Sequence, residues 1–302
     1  MEKIVVKTDN LSNNMFFLSC EDRDNWLKTH QINNEVGELA VCGVWNSGFL
    51  IIFKNALYAI GKNTCKRFSD ESEETVYKKP YLMAQDVICA VGSEYCSIYV
   101  TTDGKVHFQS DFTLDSRVEL TGFEDILRLT DIKDVYSVQL GGDCYCFIDI
   151  HEKIYAFSGG YDYRQKKYVL EKYIPSSKIL RILKKRKTVL YNAVCAEDRL
   201  PDNAKKVIYI NNNRSNLASM SRLELDKNGT VALYTPRFLL PVEERLFASY
   251  TNIVDIAVTA DDWACSNCSF LFAEKNGVFH YIELSWKQNR YVIIAEYDIC
   301  FE

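Results

Sequence analysis

The sequence predicts an all-β chain, and three observations predict it. Short runs of β-branched and aromatic residues recur at close intervals, as in Ile98-Tyr-Val-Thr101 and Phe147-Ile-Asp-Ile150. Helical periodicity is confined to two short stretches, Arg23 to His30 and Phe123 to Thr130. A pattern of strand, glycine, strand, turn and strand repeats with a period close to 49 residues.

The repeat is read element by element. The first unit holds Leu39-Ala-Val-Cys-Gly43, Phe49-Leu-Ile-Ile52 and Leu57-Tyr-Ala-Ile-Gly61. The second holds Ile88-Cys-Ala-Val-Gly92, Ile98-Tyr-Val-Thr101 and Val106-His-Phe-Gln109. The third holds Ser137-Val-Gln-Leu-Gly141, Phe147-Ile-Asp-Ile150 and Ile154-Tyr-Ala-Phe157. Gly43, Gly92 and Gly141 recur at intervals of 49 and 49 residues, and Tyr58, His107 and Tyr155 at 49 and 48. Each set is expected to occupy equivalent positions. A fourth copy follows near the C-terminus, where Asp255-Ile-Ala-Val258 resembles Asp86-Val-Ile-Cys89 and Asp134-Val-Tyr-Ser137. Asp103-Gly104 and Asn276-Gly277 supply left-handed turns between strands. Glu152 and Asn55 stand where glycine is expected, which predicts turns of another type there. Between 165 and 250 the pattern fades. Val189 to Val194, Val207 to Ile210, Ser221 to Leu225 and Thr230 to Tyr234 still read as strands.

A unit of this size cannot bury both faces of its sheet alone, so neighbours must stack. The 302 residues then predict one domain, 1–302, a β-propeller of six or seven blades. Lys3 to Lys7 and Tyr291 to Phe301 are expected to meet in one blade and close the ring without an open edge.

The run from Asp86 through Phe108 resembles a repeat of the regulator of chromosome condensation family. Leu57-Tyr-Ala-Ile-Gly61 matches that family's strand ending, and Ile154-Tyr-Ala-Phe-Ser158 matches all but the glycine. Four units carry the resemblance: 39–63, 86–110, 134–160 and 252–284. The histidine that follows the family's central glycine is absent, with Trp45, Glu94 and Asp143 near its place; Gly61-Lys-Asn63 is what remains of the family's glycine-rich tail. The resemblance implies a seven-bladed ring that binds partners through its rims. The founding type is an exchange factor for the small GTPase Ran on chromatin, and many relatives are adaptors. No residue of the exchange wedge is matched here. A WD-repeat ring is the alternative left open, with no Gly-His or Trp-Asp signature in this chain to support it.

The remaining chemistry points to binding rather than catalysis. A net charge of −5 gives no global footprint for nucleic acid. The N-terminal residues carry no apolar leader, and no apolar run is long enough to span a bilayer. The 11 cysteines form no compact framework, which predicts reduced thiols and a cytoplasmic or nuclear location. No Ser-His-Asp set, zinc-protease pair or phosphate loop is present, so no enzyme activity, cofactor or metal is expected. Cys265-Ser-Asn-Cys268 is a lone C-x-x-C pair, expected to be ordinary loop thiols; Cys144 and Cys146 are expected as small core residues. His107 and His280 share a repeat position with tyrosines, which predicts packing. The acidic run Asp70 to Glu74 is expected to link two blades. Partner contact is assigned to the basic cluster Lys184, Lys185, Arg186 and Lys187 and to Trp263, which lie where the repeat is interrupted. The expected role is a protein-binding scaffold or adaptor subunit of a larger complex. The alternatives are a nucleotide exchange factor for a small GTPase and a chromatin or nucleic-acid reader.

Overall fold

A computed structural model describes residues 2–6, 38–41, 48–72, 74–92, 96–110, 120–121, 123–139, 144–162, 167–172, 174, 190–191, 203–210, 221–234, 243–244, 247–260, 267–287 and 290–301. Among them the chain is all-β, built from small sheets whose hairpins run antiparallel. β1 (Glu2–Val6) comes first. Sheet I is β2 (Glu38–Val41), β3 (Gly48–Phe53), β4 (Ala56–Lys62) and β5 (Val76–Ala84) in that order. Sheet II is β6 (Val87–Gly92), β7 (Ser97–Thr101) and β8 (Val106–Gln109).

Sheet III is more elaborate. After β9 (Leu120–Thr121) and the short helix α1 (Phe123–Leu127) come β10 (Ile132–Gln139), β11 (Cys144–Asp149), β12 (Ile154–Asp162) and β13 (Lys167–Lys172). β9 adds in parallel to the outer edge at β13, and β14 (Leu190–Tyr191) adds in parallel to β10 on the other side. Sheet IV is β15 (Ala204–Ile210), β16 (Ser221–Asp226), β17 (Val231–Tyr234) and β18 (Glu243–Glu244). It occupies the stretch where the sequence repeat is faint. Sheet V is β19 (Ile253–Ala260), β20 (Asn267–Glu274), β21 (Val278–Lys287) and β22 (Arg290–Phe301). β1 pairs in parallel with β22, Glu2 opposite Tyr297 through Val6 opposite Phe301, so the two ends of the chain meet in one sheet as expected.

The second strand is buried on both faces in sheets I, III and V; in sheet II the Tyr99 ring between Ile98 and Val100 is half-buried, and in sheet IV the residue between Leu223 and Leu225 is the carboxylate Glu224. Phe49 to Phe53, Ile98 and Val100, Tyr145 to Ile148, Leu223 and Leu225, and Phe270 to Ala273 are all below a tenth exposed. A strand packed on one face would alternate; a continuous apolar run signals cover on both sides. The cover is the neighbouring sheet. One apolar cluster joins sheets IV and V around Phe247, Phe270 and Phe272. Others join V to I around Phe49 and Tyr281, I to II around Leu50 and Val87, and II to III around Ile98 and Phe147. β14 lies against β15 between sheets III and IV.

Two local devices recur and reveal the unit. The first strand carries a bulge at its second residue in sheets II, III, IV and V, between Val87 and Cys89, Ile132 and Asp134, Ala204 and Lys206, and Ile253 and Asp255. A bulge at that point bends the strand and increases its twist. The turn between the second and third strands ends on a left-handed residue in every sheet: Asn55 (φ 61), Gly104 (φ 75), Glu152 (φ 62), Gly229 (φ 82) and Gly277 (φ 86). At three of these turns the carbonyl of that residue accepts a bond from the next sheet's first N–H. Val87 donates to Asn55 at 2.8 Å, Ile132 to Gly104 at 3.0 Å and Ile253 to Gly229 at 3.1 Å.

These registers correct four sequence expectations. Val41, Gly92, Ser137 and Val258 pair with Phe49, Ser97, Tyr145 and Phe270, which stand equally far before their turns. Gly92 is therefore equivalent to Ser137, not to Gly141; Gly43 and Gly141 themselves lie outside the described residues. Asp86 has a left-handed backbone like Asp131 and Asn252, so it matches them rather than Asp134 and Asp255. The Glu152 turn has the same three-residue form as the glycine turns, closed by Asp149 N–H to Lys153 carbonyl at 3.0 Å; only the Asn55 turn is shorter. The acidic run joins β4 to β5 inside sheet I rather than linking two sheets. The equivalence of Tyr58, His107 and Tyr155 holds, each lying three residues past the left-handed position. The expected helix at Phe123 forms as α1; Arg23 to His30 lies outside the described residues.

Candidate protein-binding surface

Sheet topology gives the molecule two unlike ends. At the turn end lie the short turns just described, those at Asn55, Gly104 and Gly229 being stapled to the next sheet. Side chains reinforce them. Asp149 Oδ1 accepts from the N–H groups of His151 and Lys153, both at 2.9 Å, and Asp226 Oδ1 does the same for Asn228 and Thr230 at 2.9 and 2.8 Å. Asp103 accepts from Thr101 Oγ1 at 2.6 Å, and its carboxyl is held below the ordinary range by hydrogen bonds from Lys105 and Thr101, against the opposing effect of burial. A side-chain oxygen that satisfies turn N–H groups fixes the turn locally.

The histidines serve this framework. His107 stacks on Tyr99 with ring centroids 5.0 Å apart, and its Nε2 lies 3.0 Å from Thr101 Oγ1. Burial pushes its basicity down. His280 sits between two carboxylates, Nδ1 at 2.7 Å from Asp298 and Nε2 at 3.4 Å from Glu274. Tyr250 leans on the His280 ring at 5.1 Å and donates its hydroxyl to Glu296; burial and that carboxylate raise its pKa. The arrangement clamps three strands of sheet V and the segment before β19 together. Among the described residues no group of histidine, cysteine and carboxylate side chains has the geometry to hold a metal ion.

The opposite, loop end carries the connections between first and second strands and those between third and fourth. One of them, Asn63 to Thr75, is described almost completely. Asn63 is fully buried. Its Oδ1 accepts from the N–H groups of Phe68 at 2.9 Å and Ser69 at 3.2 Å. Its Nδ2 lies 3.0 Å from the Glu71 carbonyl, 3.2 Å from that of Ser69 and 3.3 Å from that of Ser72. Arg67 is also fully buried; its Nε donates to the Lys62 carbonyl at 3.2 Å and its guanidinium lies over the Phe68 ring. A β-carbon at Gly48 would stand 2.6 Å from that guanidinium, so a larger residue there would displace the Arg67 side chain from its place. The loop is tied onward to sheet II, with Gln109 Nε2 donating to the Lys66 carbonyl at 3.2 Å and Ser110 Oγ to that of Cys65 at 3.3 Å. Asp70, Glu71 and Glu74 project from this anchored loop into solvent.

The residues assigned to partner contact from sequence, Lys184, Lys185, Arg186, Lys187 and Trp263, lie outside the described residues, as does Cys265. Cys268 is a buried side chain of the cluster joining sheets IV and V, and Cys146 is fully buried in β11. Sequence reasoning passed over Asn63 and Arg67 as site residues. The signal available was the Gly61-Lys-Asn63 remnant directly before a polar, acidic stretch.

No family model matches the chain, and no curated protein matches it. Among solved structures it is similar to Hsv2 of Kluyvelomyces marxianus, at 10% identity over 86% of this chain and 70% of that one, with a TM-score of 0.25. It is similar to the computationally designed Ika8 protein at 8% identity over 87% of each chain, TM-score 0.26. It is also similar to the WD40 domain of SCAP from fission yeast, at 10% identity over 87% of this chain and 68% of that chain, TM-score 0.21. No helix among the described residues is long and apolar enough to cross a membrane.

Proposed function

We propose that the chain is a non-enzymatic protein-binding scaffold, an adaptor subunit of a larger complex, built as a β-propeller of the regulator-of-chromosome-condensation type. The observation that carries this reading is the contrast between the two ends. The turn end carries short turns with backbone staples from Asn55, Gly104 and Gly229 to the next sheet, while the loop end carries the longer connections, held by side chains where they are described. Loops on a rigid scaffold are where recognition is usually placed. The spatial order of the five described sheets supports a ring: β19 packs on β2, β6 on β3, β10 on β6, β14 on β15, and β15 returns to β19. A count of six or seven blades requires further sheets from residues beyond those described.

Partner contact in this reading lies at Trp263, in the connection from β19 to β20, and at Lys184, Lys185, Arg186 and Lys187. A tryptophan anchor that is a hot spot contributes on the order of 2 kcal/mol to binding, and nearby charges set orientation and encounter rate. The test is affinity capture with mass spectrometry from cytoplasmic and nuclear extracts, comparing wild type with Trp263→Ala and with charge reversal at Lys184, Lys185 and Arg186. Loss of the same proteins from both variants, with melting unchanged, supports the reading. Undiminished capture at equal affinity refutes it. Nucleotide release from a GTPase panel, if stimulated, replaces the adaptor role with exchange activity.

A further inference from the structure

Sheet V is complete before β1 joins it. Its strands β19, β20, β21 and β22 follow one another in the chain and in space, as the four strands of sheets I and IV do. β1 is a fifth strand, laid in parallel along the outer side of β22 over residues 297–301. It stands last in the sheet and is paired along one side only among the described residues. Parallel rungs are slightly less stable than antiparallel ones, and a strand with one partner opens ahead of strands with two. β22 has anchors of its own. Ile299 is fully buried, and the Phe301 ring stacks on Phe53 at 4.6 Å and meets Tyr58 and Phe279 at 4.8 and 5.4 Å. β1 can therefore leave while β22 stays packed against sheet I.

The outer side of β22 is longer than the strand that covers it. β22 spans Arg290–Phe301, and no described strand pairs with its outer side over 290–296. Ile293 and Ile294 lie in that stretch, 40% and 49% exposed. Ile294 is the extra residue of a bulge against Glu283 and Leu284, which twists the edge, so contact there is made by side chains more than by regular rungs. β1 shows what the regular half accepts. Lys3 stands opposite Asp298, and Ile4, Val5 and Val6 stand opposite Ile299, Cys300 and Phe301. Opposite charges and β-branched residues facing apolar ones are favourable cross-strand pairs.

We propose that the outer side of β22 is a strand-docking site held by β1 in the free protein, and that an extended segment of a protein partner enters it when β1 opens. The segment runs parallel to β22, with a basic residue opposite Asp298, aliphatic residues after it, and apolar residues upstream that cover Ile293 and Ile294. Those upstream contacts lie beyond the rungs of β1 and offset the advantage β1 has from being tethered. The proposal rests on the scaffold reading for the existence of a partner and on nothing at the loop end.

The probe is a fluorescein-labelled peptide that copies Glu2–Val6 behind four alternating valines and threonines, titrated into the full chain by fluorescence anisotropy. Saturable binding is expected, with none from a scrambled copy. Ile4→Asp sets a carboxylate opposite the buried Ile299, loosens β1 and is expected to tighten the probe about tenfold. Val5→Cys places a thiol opposite Cys300, and the disulfide between the two fastens β1 down. Oxidation of that variant is expected to weaken the probe about tenfold or more, and reductant to restore it. Ile294→Ser is expected to weaken this probe severalfold and to leave a probe without the upstream residues unaffected. Ile4→Asp and Ile294→Ser are expected to melt as wild type does. In hydrogen exchange the amides of residues 4–6 are expected to open at least about 100-fold faster than those of residues 279–282. The proposal is overturned if the oxidised chain binds the probe as the reduced one does, if Ile4→Asp does not tighten it, or if the β1 amides are protected as those of β21 are. A disulfide that joins two chains overturns the partner segment and puts β1 of a second copy in its place. In partner capture, an oxidised Val5→Cys chain that recovers every protein its reduced form recovers overturns the proposal. That result leaves the comparison of wild type with Trp263→Ala untouched, so the loop-end reading stands or fails separately.

Discussion

Asn63 can be replaced to measure how much of the loop end is fixed by one side chain. Its amide has two N–H donors and two acceptor lone pairs, so it serves at most four of its six near neighbours at once. Net values near 1 kcal/mol per bond give about 4 kcal/mol as a ceiling for Asn63→Ala. Glu71 and Ser72 sit at the solvent side of the loop, where water replaces the lost donor. Phe68 and Ser69 are buried, and their N–H groups are left with nothing. The expected loss is therefore about 2–3 kcal/mol. Asn63→Asp is nearly isosteric and keeps both accepted bonds, but it turns a carboxylate oxygen toward three carbonyls. It is expected to cost at least as much at neutral pH and to recover partly in acid, when the introduced carboxyl becomes a donor. Urea unfolding gives the free energies, and amide exchange at Phe68 and Ser69 locates the effect. Changes below about 0.5 kcal/mol in both variants, with exchange at 68–72 unaltered, would refute the reasoning.

Other perturbations test the frame. Gly104→Ala places a β-carbon 2.8 Å from the Asp131 backbone at φ 75, so a loss of about 2 kcal/mol or more is expected in chemical denaturation. Phe247→Ala empties the centre of the cluster between sheets IV and V, where its ring meets Phe272 at 4.9 Å and Phe270 at 5.3 Å; a cost of about 3–5 kcal/mol is expected. Burial depresses the His107 pKa below its ordinary 6.5, so the folded state binds that proton less readily than the unfolded one. Its stabilising contribution is present above that value and lost as pH falls through it; His107→Gln is expected to flatten the acid limb of a melting-versus-pH curve, and an unchanged limb counts against this.

Hairpins, the meeting of the chain ends and the Tyr58, His107 and Tyr155 equivalence were legible because each rests on local chemistry. Asp-Gly and Asn-Gly announce their own backbone, and three residues on from a fixed turn there is no room for drift. The glycine spacing misled because loops between first and second strands differ in length. Unit III adds residues after Ser137 that are absent after Gly92, so an equal chain interval spans unequal ladders. Sheet IV stayed faint for a chemical reason. Glu224 occupies the position of Tyr99, Phe147 and Phe272, two residues before the last rung, which breaks the apolar run that marks every other second strand. Asn63 was hidden because its role depends on a loop that closes through twelve residues. No periodicity records such a closure.

The recurring bulge and the recurring left-handed turn residue act on the same joint. The bulge bends the first strand immediately after the residue whose N–H reaches the preceding sheet. The left-handed residue aims its carbonyl out of the hairpin plane toward that N–H. Neither feature is required for a lone hairpin. Together they orient one sheet against the next through the backbone, and the left-handed position is filled by Asn, Gly or Glu according to the room beside it, with none for a β-carbon at Gly104. Sequence identity at the turn is therefore a poor guide to this architecture, whereas the sign of φ is a good one. The loop end has no such backbone staple in its described part and relies on side chains, Asn63 and Arg67 above all. A surface held by side chains can be altered one loop at a time without disturbing the stack beneath it, which is the physical condition a binding face has to meet.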